Sequence, residues 1–206
     1  MQQWRQTFHQ HPELAYEELN TSQQVAQQLQ QPGMEVHTGL GVTGVVGVLR
    51  GKQAGGRHIG LRADMDALPV HELNDFAHRS CHDGKMHACG HDGHTAMLLG
   101  AASYLAENPD FAGTVYFIFQ PAEEGAKQGA SGGQRMVEEG LFERFPIEEI
   151  YGMHNWPALP AGEFAVHAGA VMASSDRFEI EITGQGGHAA IPATFNDPVV
   201  VAGQMI

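Results

Sequence analysis

The sequence predicts an α/β fold, a mainly parallel sheet flanked by helices, followed by the start of a smaller α+β domain. Three observations carry that prediction. Apolar runs of strand length alternate with segments of helical periodicity as far as Met153. The central runs are apolar at successive positions, as strands buried on both faces are. Beyond Ala173 the pattern changes to a strict polar–apolar alternation, which marks a half-exposed strand of a different sheet.

In chain order, the Gln-rich opening gives way to Leu19, Val25, Ala26 and Leu29 near helical spacing. An amphipathic helix is expected over residues 17–30, ended by Pro32 and Gly33. Residues 42–49 form a Gly-punctuated apolar run and a strand, and residues 58–63 a second strand that leads into Asp64 and Asp66. A helix is expected over 92–107, with Met97, Ala101, Ala102 and Leu105 on one stripe. The β-branched and aromatic run at 114–119 reads as a strand buried on both faces. A helix at 134–139 and a strand at 149–153 complete the first domain. Residues 177–183 alternate, with Phe178, Ile180 and Ile182 on one face. Asn196-Asp197-Pro198 then caps a helix that runs through Val199, Val200 and Val201 to the last residue, Ile206. A lone strand and an apolar helix without partners do not make a stable unit. The expected division is therefore a catalytic domain at 1–173 and the beginning of a second domain at 174–206, the rest of which is absent.

The chain has 206 residues, 42% of them hydrophobic, enough for a sizeable core. Eleven basic residues against 24 acidic ones give a formal charge of −13, which disfavours nucleic acid and anionic membranes as partners and leaves a small molecule. The polar N-terminus has no signal core, and no apolar stretch reaches the roughly 20 residues of a membrane span. Cys81 and Cys89 are expected as two thiols rather than a disulfide, and the cytoplasm as the location.

The chemistry concentrates in His87-Ala88-Cys89-Gly90-His91-Asp92-Gly93-His94 and in Pro121-Ala122-Glu123-Glu124-Gly125. A thiolate, imidazoles and paired carboxylates suit a divalent transition metal and a water to be activated on it. Spacing does not choose among His87, His91 and His94 as Cys89's partner; those not chosen would touch substrate or support the ligands. Glu123 and Glu124 are adjacent and so point in different directions, letting one bind metal while the other serves as general base. Asp64 and Asp66 follow one strand, the two glutamates another and His154 a third, so groups distant in sequence converge at the carboxyl ends of the strands. Asp64 and Asp66 are either ligands or holders of a ligating imidazole. His188 follows Gly184-Gln185-Gly186-Gly187 and reads equally as catalytic or as a loop residue. His71, His78 and His82 read as surface histidines.

These motifs resemble the metal-dependent amidohydrolase family of hippurate hydrolase, N-acyl-amino-acid amidohydrolases and auxin-conjugate hydrolases. The resemblance is carried by Phe8-His9-Gln10-His11-Pro12-Glu13-Leu14, Gly41-Val42-Thr43-Gly44-Val45-Val46 and Leu61-Arg62-Ala63-Asp64-Met65-Asp66-Ala67-Leu68-Pro69. It continues through residues 86–99, 119–125, 151–157 and 184–190, in order along the whole chain. It implies a two-domain metallopeptidase-like fold with two divalent metal ions per subunit (zinc, manganese, cobalt or nickel). It further implies Cys89, His91, Glu124 and His154 as ligands, Glu123 as general base, and Asp64 as the supporting acid. By the same resemblance His188 reaches from a lid or dimerisation domain into a neighbouring subunit's site to stabilise the oxyanion, which makes a homodimer the expected assembly. Family members are nearly twice this length, and their closing metal-ligand histidine lies in the absent half. Ala193 stands where the family usually has a histidine, and the stretch at 125–131 is more polar than the family's loop. The implied reaction is hydrolysis of the amide of an N-acyl or N-aroyl amino acid. A dipeptidase or carboxypeptidase with the same centre, or an inactive metal-binding fragment, are the alternatives.

Overall fold

The computed structural model describes residues 1–125, 129–174 and 178–206, in two compact units, Met1–Ala158 and Leu159–Ile206. The first unit contains α1 (Gln2–Gln10), α2 (Leu19–Gln30), β1 (Glu35–Leu40), β2 (Gly44–Arg50), β3 (Gln53–Asp64), α3 (His91–Glu107), β4 (Ala112–Gln120), α4 (Gly132–Glu138), α5 (Leu141–Arg144) and β5 (Glu149–Gly152). Its five strands lie in the order β1-β2-β4-β3-β5.

The β4 strand occupies the middle of the sheet, and its sequence explains why. Val115, Phe117 and Phe119 point to one face and pack with Phe8, Val25, Leu29, Leu98 and Leu99 from α1, α2 and α3. Tyr116 and Ile118 point to the other face and pack with Met136, Leu141 and Phe145 around α4 and α5. Alternate side chains of one strand thus feed two cores, which requires the unbroken apolar run seen at 114–119. Phe117 and Phe119 are fully buried, and truncating such a side chain costs about 3–5 kcal/mol.

The α/β sheet covered by helices is as expected, but the pairing is more mixed than the mainly parallel sheet the sequence suggests. β3 runs parallel to both β4 and β5, whereas β2 pairs antiparallel with β4 and with β1. β1 and β2 pair antiparallel because they are joined by a short turn, Gly41 and Val42 both at positive φ, and a tight reversal cannot connect parallel strands. The parallel half positions the functional loops. Asp64 stands opposite Gln120, and Arg62 opposite Gly152, so β3, β4 and β5 end on one edge.

The buried stripe of α3 runs through Thr95, Leu98, Leu99 and Ala102, with Met97, Ala101 and Leu105 only partly covered beside it. The helix therefore sits rotated from the expected Met97–Leu105 stripe, because His91, Asp92, His94 and Thr95 at its start are buried as well.

In the second unit the described residues form a short 3-10 turn at Pro192–Thr194 and α6 (Pro198–Met205), whose Asp197 cap accepts from Val199 N–H at 2.9 Å. The helix start predicted from Asn196-Asp197-Pro198 is present. Of the expected strand at 177–183, Arg177 lies outside the described residues and the remainder carries no strand. Its alternation is real, but an extended segment needs a neighbour to pair with, and the described residues of this unit offer only the isolated bridge Gln185–Asn196. The units divide between Ala158 and Leu159, whereas the change of periodicity falls after Ala173. Of the loop at 125–131, residues 126–128 lie outside the described residues. No helix among the described residues is long and apolar enough to cross a membrane. Both cysteines are free thiols.

Candidate metal centre

The carboxyl edge of β3, β4 and β5 carries three loops whose donors meet around His91. At the end of β3, Asp64, Met65 and Asp66 are all buried. Alternation along the extended chain gives the two aspartates the same general direction, yet they serve different partners. Asp66 accepts the Glu123 N–H on one oxygen and the Glu124 N–H on the other, each at 3.0 Å. One carboxylate thereby fixes the backbone of the Glu-Glu turn after β4. Asp64 accepts from His94 Nδ1 at 2.6 Å and from Arg62 Nη1 at 2.8 Å.

Gly90, in the left-handed conformation with φ 89°, turns the chain into α3 and delivers His91 to the helix start. The His91 Nε2 atom lies 3.6 Å from Asp64 Oδ2 and 3.8 Å from both Glu123 Oε2 and Glu124 Oε1. Its Nδ1 is 3.3 Å from Asp66 Oδ1, in ion-pair range without hydrogen-bond alignment. Cys89 Sγ is 3.5 Å from His154 Nε2. Among the described residues, three sets of donor atoms each lie within 4.8 Å of one another, Cys89/His91/His154, His91/Glu123/Glu124 and Asp64/His91/His94, and His91 belongs to all of them.

The three histidines that spacing left open are separated by their hydrogen bonds. His94 Nε2 accepts the Asn155 N–H at 2.9 Å, so Nδ1 carries the hydrogen that Asp64 receives, and both ring nitrogens are committed. His87 is buried with neither nitrogen bonded among the described residues, lies in none of the donor sets, and is pushed down to about 4 chiefly by burial. His91 is also buried with both nitrogens lacking a hydrogen-bond partner among the described residues, and it alone of the three faces sulfur and carboxylate donors together. Such an orphaned imidazole costs free energy unless something outside the protein satisfies it.

The electrostatics point the same way. Burial, then the neighbouring Glu124, Asp64 and Glu123 carboxylates, push the Cys89 thiol up to about 12. Burial also raises Glu123, reinforced by the charges of Asp64 and Glu124. Burial opposes ionisation of Asp64, but the His94 bond and the charges of His91 and Arg62 outweigh it and hold the group at about 2. Desolvation works against a charged His91, yet Asp66, Asp64 and Glu124 raise it. Excess negative charge, a thiol unable to ionise unaided and an unpartnered imidazole are what a divalent cation corrects, since it deprotonates the thiol outright. The donor set fits a borderline metal such as zinc, with manganese, cobalt and nickel also admitted.

Of the residues singled out from sequence, Cys89, His91, Glu123, Glu124, His154 and Asp64 meet in the first unit. His188 belongs to the second, where it is exposed and its Nδ1 accepts from Ala190 N–H at 3.2 Å. Two contributors had no clear sequence signal. Asn155 holds His94 through its N–H and the Gly90 carbonyl through its side chain. His9 bonds Asp92 at 2.9 Å and Glu72 at 3.0 Å behind the Cys89 loop; as the second residue of Phe8-His9-Gln10-His11-Pro12, it was visible only as part of the family-like motif.

Residues 60–203 match the family model described as peptidase family M20/M25/M40. The chain is 46% identical over 202 residues to the hippurate hydrolase of Campylobacter jejuni, covering 98% of this chain and 51% of that protein. It is 44% identical to thermostable carboxypeptidase 1 of Saccharolobus solfataricus, covering 98% of this chain and 51% of that one. Among solved structures, a Bacillus subtilis protein described as a dinuclear metal binding peptidase is similar with a TM-score of 0.71 at 39% identity, covering 78% of this chain and 44% of that one. The chain spans about half the length of the curated relatives it matches.

Proposed function

Because the chain belongs to peptidase family M20/M25/M40, we propose that the whole protein of which it forms part hydrolyses the amide bond of N-acyl or N-aroyl amino acids. The observation that carries this reading is the convergence on His91. A buried imidazole, without a hydrogen-bond partner among the described residues, lies within 4.8 Å of donors from Cys89 and His154 and of donors from Glu123 and Glu124. Cys89, His91, Glu124 and His154 would hold a pair of divalent cations, and Asp66 would support His91 at Nδ1 as carboxylates behind ligating histidines do. When bound, the metals supply Lewis-acid polarisation of the amide carbonyl and acidify a water.

The rest is done by side chains of this chain. Glu123 takes the proton of the attacking water and returns it to the leaving amine, a role suited to a carboxyl whose proton affinity burial has raised. Asp64 fixes His94, which through Asn155 holds the loop carrying His154. His188 is assigned oxyanion stabilisation from a neighbouring subunit of a homodimer, a type of contact worth roughly 3 kcal/mol per donor.

The similarity to the hippurate hydrolase favours aroyl and acyl amino acids as substrates, and that to the carboxypeptidase supports a second reading, cleavage of peptides from the carboxyl end at the same centre. Assaying the full-length protein with benzoyl-glycine and acetyl-amino acids against unmodified dipeptides separates the two. Preference for dipeptides overturns the first reading, and metal uptake without hydrolysis of either class leaves a metal-binding protein only.

A further inference from the structure

A completely buried carboxylate far in sequence from the Glu-Glu turn holds that turn in place. Glu18, at the N-cap of α2, is 0% exposed. Its Oε1 accepts the Ala122 N–H at 2.8 Å and its Oε2 accepts the Thr43 hydroxyl at 2.6 Å. The described residues include three non-glycine positions at positive φ: Tyr16 at 64°, Val42 at 79° and Ala122 at 48°. All three surround Glu18. Ala122 is bonded to it directly, Val42 precedes its partner Thr43, and Tyr16 lies two residues before it in the chain. A left-handed residue with a Cβ is unfavourable and persists only where surrounding contacts impose it.

The consequence lies one residue further on. The left-handed Ala122 turns the chain out of β4 so that the Glu123 and Glu124 N–H groups both reach Asp66. On the other side of the turn, the Ala122 carbonyl receives Gly132 N–H at 3.0 Å, which brings in the start of α4. Glu18 and Asp66 therefore hold three successive amides, Ala122, Glu123 and Glu124.

We infer that Glu18 is a positioning residue for the candidate base and metal ligand, acting through the Ala122 amide to set the directions in which Glu123 and Glu124 project. The role in catalysis rests on the function proposed above; the hold on the turn does not. Residue-resolved amide hydrogen exchange on the metal-free chain tests the hold. Glu18→Ala removes both acceptors and should speed exchange at Ala122, Glu123 and Glu124 by about tenfold or more, the loss expected for a bond to a carboxylate. Glu18→Gln keeps an acceptor for Ala122 and a donor for the Thr43 hydroxyl, and should restore protection. Thr43→Val frees one oxygen and gives an intermediate result even if the alanine variant does not fold. Unchanged exchange at Glu123 and Glu124 in Thr43→Val, or a glutamine variant as damaged as a folded alanine variant, overturns the inference.

Cobalt(II) absorption of the same variants reads the centre independently of turnover. Weaker, altered cobalt spectra in Glu18→Ala with rescue in Glu18→Gln support the link from Glu18 to the site. Normal spectra alongside lost amide protection overturn that link. A wild-type chain that binds no cobalt defeats the metal-centre reading, while the exchange data still decide whether Glu18 holds the turn.

Discussion

The Asp64 carboxylate receives His94 Nδ1–H at 2.6 Å, and the same imidazole accepts the Asn155 N–H on its other nitrogen. Asp64 is thereby tied to the residue beside His154, across the end of the sheet. The Asp64 carbonyl is bonded separately by the Thr95 hydroxyl at 2.9 Å, so the backbone at the end of β3 does not depend on the carboxylate.

Asp64→Asn should therefore leave the fold intact and disturb the centre. The neutral amide weakens its bond with His94 and removes a negative charge 3.6 Å from His91 Nε2. Changes behind metal ligands typically lower affinity by roughly 10–100-fold. Competition with a coloured chelator measures this for zinc, with the urea midpoint as the control for folding. An unchanged zinc affinity contradicts the assigned role.

The two cysteines should differ sharply toward a disulfide reagent. Cys81 is exposed, whereas Cys89 is partly buried and pushed up to about 12 by burial and by Glu124, Asp64 and Glu123. A raised thiol pKa means less thiolate at any working pH, so Cys89 of the metal-free chain should react at least about a hundredfold more slowly than Cys81. Cys81→Ser should abolish the fast phase and leave the slow one. Cobalt(II) should reverse the chemistry by displacing the Cys89 proton, giving a thiolate charge-transfer band that Cys89→Ser lacks. Two equally fast thiols, or a band that survives Cys89→Ser, argue against this environment.

Stability should depend on pH through His9. Its bond to Asp92 is the largest influence and, with Glu72, outweighs burial to raise it above 6.5. Burial works against an ionised Glu72, but bonds from Asn74, the Ser80 N–H and His9 hold it at about 2. A group whose folded pKa is raised contributes fully below its unfolded value, and the contribution is lost as pH rises through the folded value. The urea midpoint should accordingly fall from about pH 6.5 upward, and His9→Gln should flatten that limb. Glu72 behaves in the opposite sense. Its contribution is present above 4.5 and disappears as pH falls toward 2. A wild-type midpoint that stays level above neutrality rules out the charged His9 bridge.

How much of this was legible beforehand follows from what each residue does. β4 and β2 stand out because strands buried on two faces need nearly unbroken apolar runs. β1 and α1 do not. β1 is a largely exposed edge held by backbone pairing, and α1 buries only Phe8 and His9 from a Gln-rich segment. The loops at the strand ends were legible because the order of strands and helices fixes which ends align. Spacing does not separate His91 from His87 and His94; the family resemblance points to His91, and what each ring nitrogen touches distinguishes the three. An acid at a helix start reads as a solvated cap, so Glu18 carried no signal. Sequence leaves Asp64 and Asp66 equivalent, and only geometry separates the aspartate holding the Glu-Glu turn from the one holding His94.

The sharpest test falls on Glu123. It shares its surroundings with Glu124, since both backbone N–H groups bond Asp66 at 3.0 Å and both carboxylates lie 3.8 Å from His91 Nε2. If the two differ in role, the difference must appear in which property each substitution removes. Glu123→Gln keeps the shape and the backbone bonds, and deletes the capacity to take a proton together with one negative charge. In the full-length protein it should hold metal within about threefold of wild type yet lose roughly 100- to 10,000-fold in turnover, the usual range for a positioned base. Glu124→Gln should instead weaken metal binding, with turnover partly recovered at high metal concentration. The pH profile carries the same distinction. A base works only when deprotonated, so the wild-type rate should rise with pH through the Glu123 pKa, which burial and the charges of Asp64 and Glu124 place above 4.5. That acid limb should be missing from the residual activity of Glu123→Gln. Near-normal turnover in Glu123→Gln, or an acid limb that survives it, would transfer the proton to another group and leave Glu123 as a ligand or a spectator.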